Sequence, residues 1–510
     1  MDPPDGPPGL HAHVKTTGRA SEVAVRSQTA IFSRLVKDFM RRVPLAVTAG
    51  TSCADVIAGM AERRASSATV TDAEGRPLGI ITERDLTHRV AFRVPPETPV
   101  EKVMTTPVLT IAADEYLYYA IARMRRRGLR HMPVVDGGGA LTGMLNLHDA
   151  LAVASDRLMG QIDTLAREDS VEGMKQIKAA QVELADQLFE DNLPAPEIQA
   201  LLTHINNDIY RRIIDLNRSA MEAEGYGPPP VEFCVIVMGS GGRGENYLYP
   251  DQDNGFILED YPDERHTEIE AWFIELAERM VRDLDSVGFP LCKGYVMATN
   301  PLWRKTLPQW IEQITLWGRK RNFVALRLAD IFFDFQPVRG HPDMAARLRR
   351  SVTKMARSNH FFLQQMFQEE ADHNVALGFF GGLLTEKRKK RYKGQVNLKH
   401  TGTLPLVEAV RLLALREGVE ETATMRRIKA LAAKGVLDAN EDEDLTSAFR
   451  LITGILLSRQ IKDFKADTGV SYYVDPRSLS KRTRSLLLDS LKAIDTFRQR
   501  VRADFTAEIF

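Results

Sequence analysis

The first third of the chain repeats itself at a fixed interval, and a tandem repeat of this size commits a sequence to two copies of one supersecondary unit. Ser66–Asp72 returns as Arg130–Asp136, and Gly79–Asp85 returns as Gly143–Asp149. Met60 and Met124, each closing a stretch with apolar residues at helical spacing, keep the same interval of 64 positions. Each copy reads as helix, short strand, turn, strand and helix. The spacing predicts the helices over Ala54–Arg63 and Tyr118–Arg127, with turns at Asp72–Gly75 and Asp136–Gly139.

These landmarks resemble a tandem pair of cystathionine-β-synthase (CBS) motifs spanning residues 36–155. The resemblance implies an adenine nucleotide between the repeats, with Thr82 and Asp85 of the first copy and Asp149 of the second holding ribose and phosphates. A carboxylate can accept two ribose hydroxyl hydrogen bonds, which suits Asp to the task. Asn146 stands where the second copy would carry Thr or Ser. The residues also permit a plainer reading, in which Asp85 and Asp149 cap the helices that follow them. Such pairs commonly dimerise, so the resemblance implies a homodimer.

A chain of 510 residues exceeds a single core. Its organisation reads as a Pro- and Gly-rich tail without structure (1–35), the repeat pair (36–155), a helical connector (156–230), an α/β domain (231–345) and an all-α domain (346–510). Basic and acidic residues balance at 68 each, so composition points to neither a nucleic-acid nor a membrane partner. The three cysteines, Cys53, Cys234 and Cys292, are too far apart for a C-x-x-C zinc site or a disulfide scaffold. With no secretory signal at the start and no apolar run of spanning length, the expected location is the cytoplasm.

The chemistry concentrates after the triple proline Pro228–Pro230. Val231–Met238 is rich in β-branched and apolar residues and predicts a strand. It runs into Gly239-Ser240-Gly241-Gly242-Arg243-Gly244-Glu245, then Pro250-Asp251-Gln252-Asp253-Asn254 and a second strand, Gly255–Leu258. Gly239, Gly241 and Gly244 fit G-x-G-x-x-G, but a dinucleotide fold needs a crossover helix, and only Glu245–Tyr249 precede Pro250. A nucleophile elbow would need glycine in place of Met238. The better reading takes Asp251 and Asp253 as an i, i+2 pair whose carboxylates share a face and suit Mg²⁺, with the Gly239-Ser240 turn presenting N–H groups to a triphosphate.

Gly239-Ser240 through Arg243 and Glu245 to Asp251-Gln252-Asp253 resembles the polymerase-β-like nucleotidyltransferases. More specifically, it looks like a bacterial family related to the protein-PII uridylyltransferase and usually coupled to CBS motifs. Pro250 departs from the Thr or Ser common there. The fold class implied is a multidomain chain: tandem CBS motifs, a polymerase-β-like α/β domain and a helical C-terminal domain. The fold calls for a third carboxylate. Asp334, the acidic residue flanked by aromatics in an apolar strand expected over 329–338, is the candidate, with Gln336 where the family has Arg. Asp251, Asp253 and Asp334 would hold two Mg²⁺ ions, Gly239 and Ser240 would grip the donor NTP, and Arg243 would either touch phosphate or pair with Glu245. Lys293, Asn300 and Trp303 lie in a segment that follows the family pattern and carry no assigned role.

Beyond His341 the apolar residues fall three or four apart in six helices, Met344–Ser358, Phe361–Ala371, Leu404–Arg416, Thr422–Lys434, Glu443–Phe464 and Arg482–Asp504. Asn397–Gly402 resembles the family's D-L-K-x-x-G run, with Asn397 in place of Asp. Lys387–Arg391 is a basic run that reads as a solvated loop or as an attractor of phosphate or an acidic partner. The function expected is Mg²⁺-dependent transfer of a nucleoside monophosphate to a hydroxyl of a small molecule or a protein, such as a PII-like regulator, gated by the CBS pair. The alternative is a nucleotide-sensing protein that transfers nothing.

Overall fold

The computed structural model describes residues 34–91, 93–151, 169–190, 192–319, 331–370, 374–378 and 381–507. Almost all of the tail expected over 1–35, and the start of the connector expected over 156–230, lie outside the described residues. The chain forms two compact units, residues 1–168 and 169–510.

The first unit contains the repeat. Its first copy comprises β1 (Ala46–Thr48), α1 (Cys53–Glu62), β2 (Ser67–Thr71) and β3 (Pro77–Thr82). The second comprises β4 (Ile111–Ala112), α2 (Leu117–Arg126), β5 (His131–Val135), β6 (Leu141–Asn146) and α3 (Leu147–Leu151). Each copy makes a three-stranded sheet, ordered β1-β2-β3 or β4-β5-β6, with the first pair parallel and the second antiparallel. The sequence interval survives as register. Ser67 opposite Thr82 becomes His131 opposite Asn146, and Val47 beside Val70 becomes Ile111 beside Val134. The irregularity between Val70 and Thr71 recurs between Val134 and Val135. Ser52 caps α1, which buries Cys53, Val56 and Met60 at the i, i+3, i+7 spacing of an apolar stripe.

The second unit begins with two long helices, α4 (Val171–Glu190) and α5 (Ala195–Ala223). A four-stranded sheet follows, ordered β10-β7-β8-β9, from β7 (Phe233–Val237), β8 (Asn254–Leu258), β9 (Arg304–Thr306) and β10 (Gln336–Gly340). β7 is antiparallel to both of its neighbours, and β8 and β9 are parallel. The short helix α6 (Gly239–Arg243) joins β7 to the loop before β8, and α7 (His266–Val287) and α8 (Leu307–Arg319) complete the domain. β7 and β8 are buried at all five positions each, the continuous apolar pattern of strands covered on both faces. Phe273 of α7 meets Phe233 edge-on at 5.4 Å.

The helix α9 (Pro342–Arg357) packs on α8, β7 and β10. The helices α10 (His360–Glu370), α11 (Leu404–Arg416), α12 (Thr424–Ala433), α13 (Ala439–Lys465) and α14 (Lys481–Ala507) form the helical domain, which also holds the ribbon β11 (Val396–Asn397) with β12 (Tyr473–Val474). No described helix is long and apolar enough to cross a membrane.

One expected element is corrected. Ile331 and Phe332 end a helix, a turn carries Phe333 and Asp334, and pairing starts only at Gln336, so Asp334 is not a strand residue. The aromatic residues explain the misreading. Phe332 stacks on Trp310 at 4.6 Å and Phe333 meets Phe362 edge-on at 5.9 Å, so the apolar run is a wedge into the helices rather than a strand face.

Candidate active site around Asp251 and Asp253

The chain leaves β7 through a sharp turn at Gly239, whose φ is +57°. A Cβ at Gly239 would lie 3.0 Å from the Oδ2 of Asp253, so glycine allows both the left-handed backbone and the approach of the carboxylate. The Met238 N–H donates to the Asp253 carbonyl at 2.9 Å, which closes the turn onto the acidic loop. The Ser240 hydroxyl donates to Asn246 Oδ1 at 3.0 Å.

Between the two aspartates, Gln252 is fully buried and its Nε2 donates to the carbonyls of Val281 and Phe289 at 3.0 and 2.9 Å. Asp251 and Asp253, on either side of it, line the same small cavity. Asp251 is exposed and Asp253 is partly buried. Burial pushes the Asp253 carboxyl up to about 6, and the Asp251 charge adds to that, while Cys292, Lys399 and Arg243 oppose it. The Cys292 thiol, hydrogen-bonded to Asp253, is pushed up to about 11 by its own burial first and then by that carboxylate. Two adjacent carboxylates, one held toward protonation by desolvation and like charge, fit one hard cation whose remaining ligands are oxygens of a bound phosphate.

Asp334 does not join them. Its carboxylate is fully buried and lies 2.8 Å from Arg243 Nη1, 3.0 Å from Arg411 Nη1 and 2.7 Å from Arg427 Nη2. Among the described residues no group of three acidic, histidine or cysteine side chains could hold a metal ion. The expected third ligand is therefore corrected. A buried carboxylate does need a partner, and three guanidiniums supply it. Of the two alternatives for Arg243 the structure shows the pair with Glu245: its Nε donates to Glu245 at 2.7 Å and its Nη1 to Asp334, so it braces the turn.

This cluster fastens the helical domain to the glycine turn. Arg411 and Arg427 come from α11 and α12. The Thr422 hydroxyl donates to the Gly242 carbonyl at 2.8 Å, and the Thr424 N–H donates to Glu245 Oε1 at 2.6 Å. A Cβ at Gly242 would overlap the Asp334 carbonyl, so the turn and the Asp334 segment interlock only with glycine there.

Sequence reasoning missed three contributors. Asn207 and Tyr210 of α5 line the small cavity that also contains Asp251 and Asp253, which makes the connector part of the site's wall. Lys178 of α4 is buried, and its Nζ donates to Gln181, Asn206 and the Leu248 carbonyl at 2.9, 3.1 and 2.9 Å. Burial pushes its amine down to about 7. A lysine on a helical stripe carries no sequence signal of that kind; only the tertiary contact with the loop ahead of Asp251 reveals it.

In the repeat unit, Thr82 and Asp85 form a reciprocal capping pair. The Thr82 N–H and hydroxyl donate to Asp85 Oδ2 at 3.0 and 2.7 Å, and Arg89 lies 3.6 Å from Oδ1. Asp149 pairs with Arg41 at 2.9 Å. The Ser66 hydroxyl and His131 Nε2 join the two copies at 2.9 Å.

Three family models match the chain. The CBS domain model matches 36–91 and 100–156, "Putative nucleotidyltransferase DUF294" matches 179–323, and "Putative nucleotidyltransferase substrate binding domain" matches 360–505. Among curated proteins, the chain is 34% identical over 96 residues to Uncharacterized protein MK0525 of Methanopyrus kandleri, covering 18% of this chain and 49% of that protein. It is 32% identical over 144 residues to the CBS domain-containing protein CBSCBSPB1 of Arabidopsis thaliana, covering 27% and 26%. The chain thus spans about half of the first relative and about a quarter of the second. Among solved structures, the CBS domain protein PAE2072 from Pyrobaculum aerophilum complexed with AMP is 25% identical, with 26% of this chain and 99% of that chain covered and a TM-score of 0.23.

Proposed function

This chain carries, in order, a CBS-domain pair, the DUF294 nucleotidyltransferase domain and that family's substrate-binding domain, and from that premise we propose that it transfers a nucleoside monophosphate from an NTP to an acceptor hydroxyl. The observation that carries the reading is the Asp251–Asp253 pair. Both residues line one small cavity, the Asp251 charge acts on the Asp253 carboxyl, and Asp253 lies against the Gly239 turn. In the reaction, the acceptor oxygen forms a bond to the α-phosphorus, the bond from that phosphorus to the bridging oxygen breaks, and pyrophosphate departs with the electron pair. The acceptor proton passes to solvent.

Each residue has a defined part in this scheme. Asp251 and Asp253 would hold Mg²⁺, which supplies charge neutralisation for the phosphates when bound. Gly239 and Ser240 leave the approach to the turn free of bulky side chains. Lys178 fixes the Leu248 carbonyl and with it the path of the loop into Asp251. Adenine nucleotide at Thr82, Asp85 and Asp149 would regulate the activity, and the CBS pair would make the dimer contact. The location proposed is the cytoplasm.

One observation favours a second reading. With Asp334 spent on arginines, the pair stands, among the described residues, without the third carboxylate that a two-ion site requires, as in a protein that binds nucleotide and transfers nothing. Radiolabelled nucleotides separate the two. With Mg²⁺ and cell extract, an α-labelled NTP leaves label on an acceptor and a γ-labelled NTP releases it in pyrophosphate. Binding of all four nucleotides with neither event supports the second reading.

A further inference from the structure

The helical domain holds an open cavity of about 650 Å³ between the chain around Leu383–Gly394 and the start of α14. Leu383, Pro476 and Leu488 provide apolar surface, and Lys393, Arg477 and Arg484 provide charge. Arg477 is held by Asp475 at 2.9 Å, whereas Lys393 and Arg484 make no ion pair among the described residues.

The rim continues the same sign. Lys387, Arg388 and Lys390 are exposed, and Lys481 and Arg482 are exposed on the opposite side. The basic run is not a loose loop. Glu386 turns its carboxylate onto the N–H groups of Arg388 and Lys389 at 2.8 and 3.2 Å. Lys389 Nζ lies 3.1 Å from the Tyr473 hydroxyl, and the Tyr392 ring stacks on Tyr473 at 4.0 Å and 5°. Lys393 and Arg484, with no ion pair among the described residues, and the exposed cations of the rim repel one another around an apolar floor, and a ligand of opposite charge relieves that repulsion.

The cavity is tied to the carboxylate pair through one strand. Tyr473 of β12 holds the basic run, and its neighbour Tyr472 packs on Tyr247 at 5.9 Å and under Lys399 Nζ at 4.2 Å. Lys399 is one of the charges acting on Asp253.

We propose that this cleft docks an acidic segment of a protein acceptor, glutamate- or aspartate-rich with apolar side chains interspersed, whose hydroxyl-bearing residue is presented to the Asp251–Asp253 site. Calling the bound segment an acceptor rests on the transferase reading; its binding does not. A free phosphate would call for donors converging on one point, whereas these cations are spread along both sides of an apolar floor.

The test uses the full chain and a fluorescein-labelled peptide of alternating Glu and Leu, read by anisotropy. Saturable binding is expected, weakening with salt and falling at least ~10-fold in Lys393→Glu with Arg484→Glu. The milder Lys393→Gln with Arg484→Gln shifts affinity the same way, and circular dichroism confirms that both variants fold. Asp253→Asn binds the peptide normally while losing nucleotide transfer, so failure of docking and failure of the transferase reading give different results. No peptide binding, binding indifferent to the charge reversals, or tighter binding of inorganic phosphate or single-stranded RNA at the same residues would overturn the proposal.

Discussion

The carboxylate of Asp334 lies 3.0 Å from the guanidinium of Arg411, a residue 77 positions later on α11. That contact places the one acidic residue of the Phe332–Phe335 wedge at the junction of the α/β and helical domains. Arg243 and Arg427 complete the cluster, and burial together with the charges of Arg427 and Arg243 holds Arg411 well below the usual arginine range.

Removing Asp334 takes from Arg411 and Arg427 the carboxylate they share and leaves Arg243 paired with Glu245. Breaking a buried ion cluster from one side costs about 3–5 kcal/mol. Asp334→Ala is therefore expected to lower the urea midpoint strongly, whereas Asp251→Asn, at an exposed position, leaves it nearly unchanged. A fully stable Asp334→Ala protein that has lost only turnover would restore Asp334 to the metal site.

Asp253 makes the metal-free protein sensitive to pH. Its folded carboxyl is raised from 3.8 to about 6, so the native state binds the proton more tightly than the unfolded chain. The stability this provides is complete below about 3.8 and is lost as pH rises through about 6. Asp253→Asn should flatten thermal stability across that window and raise the melting temperature of the metal-free protein at pH 8. Mg²⁺ should stabilise the wild type more at pH 7.5 than at pH 5, as scanning calorimetry can measure.

Lys178 has the opposite sign. Burial lowers its folded amine from 10.5 to about 7, so between those values the unfolded chain carries more protons and stability rises with pH. Lys178→Met should remove that rise. It also frees the Leu248 carbonyl, so turnover at pH 7.5 should fall severalfold with nucleotide KM less affected. An unchanged kcat would confine Lys178 to a packing role.

For the repeat pair, Asp85→Ala removes the reciprocal cap with Thr82 and should cost about 1 kcal/mol in the first unit. Titration calorimetry with AMP separates capping from binding. A loss of affinity beyond that seen for Arg89→Ala assigns the carboxylate to the ligand, and equal affinities in wild type and Asp85→Ala leave it a cap.

Much of the architecture was legible because it rests on local pattern. The interval of 64 positions became strand register, and α11 spans Leu404–Arg416 as its apolar spacing predicts. The turn at Gly239 and the strands around it were legible from glycine and β-branched residues. Asp334 was not, because a carboxylate among aromatics reads alike whether a cation or an arginine awaits it, and Arg411 and Arg427 arrive from a distant part of the chain. Asn207, Tyr210 and Lys178 were hidden for the same reason, since α4 and α5 look like a connector until they close over the acidic loop.

The claim that Asp251 and Asp253 suffice for nucleotidyl transfer is tested most directly by pyrophosphate release from each NTP with Mg²⁺ and extract, in wild type, Asp251→Asn and Asp253→Asn. Release by the wild type with at least ~100-fold loss in both variants, each still folded, is the predicted result. Release that persists in Asp253→Asn, or its absence from a wild-type protein that binds the nucleotide, would contradict it.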